Sequence, residues 1–127
     1  MNNVVLDASA VLAIILGERG CEKLTDELLE RAVSSTVNLA EIQTKLVTEG
    51  WHPNDAWDDL LSVTAPVEFS PEHAKVAATL VLQTRPMGLS LGDRACLALA
   101  IDQTCAVYTA DKTWKKLSLG VPIVVIR

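Results

Sequence analysis

Five short apolar runs, rich in valine and isoleucine, divide this chain at residues 4–6, 32–34, 67–69, 106–108 and 123–126. Within them apolar and polar residues do not alternate, so each predicts a strand buried on both faces. Between the runs the apolar spacing becomes that of a helix. Residues 9–18 (SAVLAIILGE) are nearly all apolar, and 19–32 (RGCEKLTDELLERA) interleave charge with leucine. Residues 38–50 (NLAEIQTKLVTEG) end on Gly50, 53–63 (PNDAWDDLLSV) start on a proline, and 71–87 are stopped by Pro86. Residues 90–104 (SLGDRACLALAIDQT) are apolar along most of their length and predict a central helix, and 111–120 (DKTWKKLSLG) close on Gly120. Strands that alternate with helices in this way make a parallel sheet with helices on both sides. The expectation is an α/β chain, a three-layer α/β/α fold with a short, mostly parallel central sheet.

At 127 residues, half of them apolar, one domain over residues 1–127 with a sizeable core is expected. No run approaches the roughly 20 apolar residues that span a bilayer. The stretch AVLAIIL is too short, and MNN lacks the positive charge that precedes a signal-peptide core. A soluble, cytoplasmic protein follows. Cys21, Cys96 and Cys105 form no C-x-x-C pair, and Cys96 falls in the apolar helical pattern, where a thiol simply packs. His52 and His73 lie far apart, each beside a proline at a helix start. Those spacings argue against a zinc site and against a cysteine or histidine nucleophile. The net charge of −5, from 16 acids and 11 bases, lacks the basic excess usual in nucleic-acid binders.

Four of the acids stand in unusual places. Asp7 ends the first apolar run and opens a helix. Glu41 lies three residues after Asn38, Asp93 three after Ser90, and Asp111 follows VYTA at the start of the last helix. Taken singly, each has an ordinary meaning. The segments NLAE and SLGD fit a capping box, Asp7 and Asp111 fit N-caps, and Lys45 stands at the i,i+4 distance of a surface pair with Glu41. Taken together they say more. Right-handed crossovers put every strand-to-helix junction of a parallel sheet on its carboxyl edge, where ligands of such sheets bind. The four carboxylates should therefore converge. Two like charges about 4 Å apart repel by about 4 kcal/mol at an effective dielectric of about 20. A hard divalent cation, Mg²⁺ or Mn²⁺, removes that repulsion and prefers oxygen ligands. With the four acids set aside, 12 acids face 11 bases, so most of the net charge belongs to the expected site. Arg94, Lys112, Lys115 and Lys116 adjoin these acids, either as phosphate contacts or as a solvated helix face.

At these residues the sequence resembles the PIN-domain ribonucleases, especially the VapC toxins of toxin–antitoxin pairs. The resemblance spans nearly the whole chain, through VVLDASAVLAIILGE, SSTVNLAEI, LSLGDRACLALA and VYTADKTWKKL, with one acid in each. It implies a PIN-like fold in which Asp7, Glu41, Asp93 and Asp111 bind Mg²⁺ or Mn²⁺ and support RNA cleavage. It also implies that Ser9 and Thr109 support the site and that Asn38 caps the helix presenting Glu41. Trp114 stands where phenylalanine is frequent, and an extra acid that some relatives carry near Lys115 is absent. The partners implied are RNA, a second copy in a homodimer, and a cognate antitoxin whose peptide covers the groove and often offers an arginine to the acids.

The chemistry expected is metal-assisted hydrolysis of a phosphodiester, with Asp7 and Asp93 as direct ligands of the main ion. Asp111 and Glu41 would hold a second ion or orient its waters, and the number of ions stays open. A phosphoacceptor receiver domain would need adjacent acids after its first strand, where LDASA has one. A haloacid-dehalogenase-type phosphatase would need an aspartate where Ser9 stands. A non-catalytic interaction module, its acids merely capping helices, is the remaining alternative. The segment GWHPNDAWDDLL, with Trp51 and Trp57, is either a contact surface or a helix packing its own tryptophans.

Overall fold

The computed structural model describes residues 2–127. The described residues form strands β1 (Val4–Leu6), β2 (Ala32–Ser35), β3 (Ala65–Val67), β4 (Val107–Thr109) and β5 (Ile123–Val125). The helices are α1 (Ala8–Leu16), α2 (Asp26–Leu29), α3 (Thr36–Thr48), α4 (Pro53–Val63), α5 (Pro71–Thr84) and α6 (Leu91–Gln103). All strand pairings are parallel, in the order β3-β2-β1-β4-β5. The three-layer α/β/α expectation therefore holds.

The uninterrupted apolar strands have a simple packing reason. Val4 and Leu6 of β1 face a core shared with α1, α3 and α4, through Val11, Leu39, Ile42 and Leu60. Val5, between them, faces a second core with α5 and α6, through Leu80, Cys96, Leu97 and Leu99. Successive side chains of a strand point to opposite faces, so a strand covered on both sides is apolar at every position. Helix α6 lies against three strands and buries all residues from Ala95 to Ala100.

Several elements differ from the sequence-based expectation, three of them in kind or place. The third strand is Ala65–Val67, not 67–69; Pro66 lacks an N–H, which an edge strand tolerates, and β3 is at the edge. Residues 19–32 are not one helix but a 3₁₀ turn at Cys21–Lys23 followed by the four-residue α2, newly capped by Thr25. Gly20 breaks the pattern. It has φ 96°, and a side chain there would collide with the backbone carbonyl of Ile126. The segment after Asp111 is likewise a 3₁₀ turn, Lys112–Lys116.

The order of strands fixes where a site can lie. The chain adds β2 and β3 on one side of β1, then returns to add β4 and β5 on the other. The crossovers diverge between β1 and β4, opening a crevice at their carboxyl ends. Asp7 immediately follows β1, and Asp111 lies two residues beyond β4.

Candidate active site

All four acids line one cavity of about 330 Å³ at that crevice, together with Ala8, Ser9, Leu12, Ile42 and Lys45. They come from four separate elements, which explains the dispersal of the motif along the chain.

Asp7 is the most constrained. It is 4% exposed, and its Oδ1 accepts from the Ala10 N–H at 2.8 Å and the Ser9 hydroxyl at 2.7 Å. Its Oδ2 accepts from the Thr109 hydroxyl at 2.6 Å. Ser9 Oγ in turn accepts from the Ala110 N–H, and Thr109 Oγ1 from the Asp111 N–H. Ser9 and Thr109 thus tie the ends of β1 and β4 together around the carboxylate. Burial pushes the Asp7 pKa up from 3.8 to about 6, against the lowering effect of these three hydrogen bonds, and the charge of Asp93 adds to the rise. A carboxylate at once so well bonded and so poorly solvated would be relieved by a bound cation.

The other three are held by one oxygen each. Asp93 Oδ2 accepts from the Ser90 N–H at 3.0 Å while Ser90 Oγ accepts from the Asp93 N–H, a complete capping box at the start of α6. Asp111 Oδ1 accepts from the N–H and hydroxyl of Thr113. Glu41 Oε1 accepts from Asn38 Nδ2 at 3.2 Å. Asp7, Asp93 and Asp111 therefore do cap their helices or turns, as the ordinary reading of each required. Glu41 caps nothing: it lies in the second turn of α3 and is exposed.

Asn38 is not the cap of α3. That cap is Ser35, whose Oγ accepts from the Val37 N–H, and Asn38 lies inside the helix. Its amide is instead a tertiary tie. Besides Glu41 it reaches the Gly92 carbonyl at 3.0 Å, joining α3 to the first turn of α6, while Asn38 Oδ1 is buried without a partner. Gly92, which the sequence reading passed over, has no side chain because Glu41 occupies the space. A Cβ there would run into the Glu41 carboxylate. The only signal in the sequence was a glycine inside a helical pattern, which implies close packing.

The remaining residues fall outside the cavity lining. Arg94 donates through Nη1 to the Ala77 carbonyl at 2.8 Å, staking α6 to α5. Lys112, Lys115 and Lys116 are exposed on the turn after Asp111. Trp114 is fully buried in the second core, and Trp51 packs against the first, whereas Trp57 is half-exposed on α4. Cys96 is fully buried; burial, then the charges of Asp7 and Asp93, push its thiol well above the usual range, so it packs as a neutral side chain. Among the described residues, no three acid, histidine or cysteine side chains stand close enough together, as placed, to hold a metal ion. The donor set is still right for a hard cation: four carboxylates, three with hydrogen bonds on only one oxygen.

No helix among the described residues is long and apolar enough to cross a membrane. No curated protein matches the chain in sequence. Solved structures share its fold over almost its full length. The toxin–antitoxin complex from Klebsiella pneumoniae superposes with a TM-score of 0.78 at 17% identity, covering 98% of each chain. DNA-bound VapBC from Salmonella typhimurium gives 0.75 at 14% identity, covering 97% of each. VapC20 of Mycobacterium tuberculosis, described as a sarcin-ricin loop cleaving toxin, gives 0.72 at 16%, covering 94% of this chain and 99% of that one. The sequence profile of the PIN domain matches residues 4–119, a span that contains all four acids, and the chain belongs to the PIN domain family.

Proposed function

We propose that this chain is an endoribonuclease dependent on Mg²⁺ or Mn²⁺ and the toxin of a toxin–antitoxin pair. The observation that carries this reading is the gathering of Asp7, Glu41, Asp93 and Asp111 in one cavity at the switch point of a parallel sheet. Helix capping accounts for three of these acids separately. It accounts neither for Glu41 nor for the convergence.

In this reading the four carboxylates hold the metal. Held by these carboxylates, a divalent ion would make hydroxide available near neutral pH and would offset negative charge at the phosphate under attack. The chain's own residues set the stage. Thr109, Ser9 and the Ala10 N–H fix both oxygens of Asp7, so its orientation is settled before substrate arrives. Asn38 and Gly92 set the place of Glu41, and the capping box sets that of Asp93.

RNA as substrate is supported by the likeness to VapC20, a sarcin-ricin loop cleaving toxin, and an antitoxin as partner by the likeness to a toxin–antitoxin complex; a homodimer as assembly rests on the family resemblance alone. The test is cleavage of RNA by the purified chain with Mn²⁺ or Mg²⁺, alongside mapping of new 5′ ends in cellular RNA after induced expression. Cleavage is expected to vanish with chelator and in Asp93→Asn. Full activity in that variant, or activity indifferent to chelation, would refute the assignment.

A further inference from the structure

Glutamate and lysine four residues apart on a helix ordinarily pair. Glu41 and Lys45 of α3 have that spacing and do not. Glu41 is drawn back toward Asn38 and lies against Gly92 of α6. The Lys45 ammonium is 3.2 Å from Glu49 Oε1, one turn further on, and both side chains of that pair are about half exposed. The two potential partners are thus held apart, each by a contact of its own.

Lys45 is also the only basic residue among those described as lining the cavity of four acids. A phosphodiester entering that cavity meets four carboxylates, and divalent cations offset only part of the repulsion at a distance from themselves. Glu49 is not among the lining residues, so its hold on Lys45 draws the ammonium toward solvent. An exposed pair of this kind is weak and exchanges readily. The lysine has a flexible four-carbon stem and can turn from Glu49 without moving the backbone.

We propose that Lys45 is a phosphate-binding residue of this cavity, handed from Glu49 to the RNA backbone as substrate enters. The proposal rests on the nuclease reading, to which it adds a substrate contact outside the four acids. Had Glu41 kept its ordinary partner, the lysine would have been neutralised inside the site, and an acid would have been lost from it. The Asn38 bond to Glu41 and the Glu49 bond to Lys45 favour the arrangement in which the two stay separate.

The experiment measures binding of a single-stranded RNA oligonucleotide in the Asp93→Asn background with Mn²⁺ present, across a series of salt concentrations. Cleavage of the same oligonucleotide by the otherwise unchanged chain is followed in parallel. Lys45→Met, which keeps the stem and removes the charge, is expected to weaken binding about tenfold. It should also make the slope of log K against log[salt] shallower by about 0.7, the contribution of one phosphate contact on a single strand. Lys45→Arg should restore both quantities, and Glu49→Gln should tighten binding about twofold. Unchanged affinity and slope in Lys45→Met, with RNA still cleaved by the unchanged chain, would overturn the role of Lys45 alone. Absence of cleavage by the unchanged chain with either ion would overturn the nuclease reading and this proposal with it.

Discussion

Replacing Asp7 with asparagine should stabilise the metal-free protein at neutral pH and destabilise it in acid. Burial raises the Asp7 pKa from 3.8 to about 6, so between those values the folded chain holds a proton that the unfolded chain has released. The stabilisation from that proton is complete below about pH 4 and is lost as the pH rises through 6. At about 1.36 kcal/mol per unit, ionised Asp7 costs the folded state about 3 kcal/mol at pH 8. Asparagine carries no such cost. Its oxygen can still accept from the Ala10 N–H and Ser9, but an NH₂ now faces Thr109, whose hydroxyl must turn to accept instead of donate. That rearrangement weakens one hydrogen bond, by about 1 kcal/mol.

With chelator present, Asp7→Asn should therefore be about 2 kcal/mol more stable at pH 8, and about 1 kcal/mol less stable below pH 4. Urea unfolding across this pH range measures both. Mn²⁺ should reverse the order at pH 8, because an ion at a hundred times its Kd adds about 2.7 kcal/mol to a chain that binds it. A difference between the two proteins that is constant with pH, or a variant less stable at pH 8 without metal, would refute the account of Asp7 as a desolvated carboxylate.

Gly92→Ala should leave the melting temperature within a few degrees, since alanine is the better helix former, yet lower Mn²⁺ affinity and RNA cleavage at least tenfold by displacing Glu41; calorimetric metal titration and a cleavage assay read the two effects separately. Thr109→Val removes a donor from Asp7, so its pKa should rise further and the acid limb of the pH–cleavage profile should move to higher pH. Asp93→Ala should cost about 1 kcal/mol of stability beyond its loss of cleavage, because the capping box is broken. Asp93→Asn, which keeps an acceptor for the Ser90 N–H, should lose cleavage alone, and comparing thermal unfolding of the two variants isolates the cap.

The layers of the fold were legible because burial on both faces writes itself into β1 and β4 as unbroken apolar sequence. Asp7 was legible for a related reason, since a carboxylate directly after such a run is not there to pack; Glu41, Asp93 and Asp111 were legible only from their places near helix starts and from the family resemblance. What escaped the sequence depends on contacts distant along the chain. Gly20 interrupts a regular leucine pattern because the Ile126 carbonyl lies against it, and nothing near residue 20 announces residue 126. Asn38 has the spacing of a cap to Glu41, but Ser35 starts the helix three residues earlier and frees the Asn38 amide to bridge to Gly92. Arg94 adjoins an acid in sequence and yet, on a helix, points about a quarter turn away from it, toward Ala77.

Capping and convergence, set against each other in the sequence, prove to be one arrangement. Asp7 and Asp93 sit at the amino ends of α1 and α6, where unpaired N–H groups and the helix dipole favour negative charge. Those ends meet at the carboxyl edge because the strand order places them there. Each cap thus fixes a carboxylate at a defined point, and each helix end offsets part of the repulsion that gathering the carboxylates creates. A chain that relied on a metal alone to assemble four acids would be poorly ordered without it. This one assembles them from local bonds that any helix start can make, and Glu41, which has no helix end to serve, requires Asn38 and a missing side chain at Gly92 in their place.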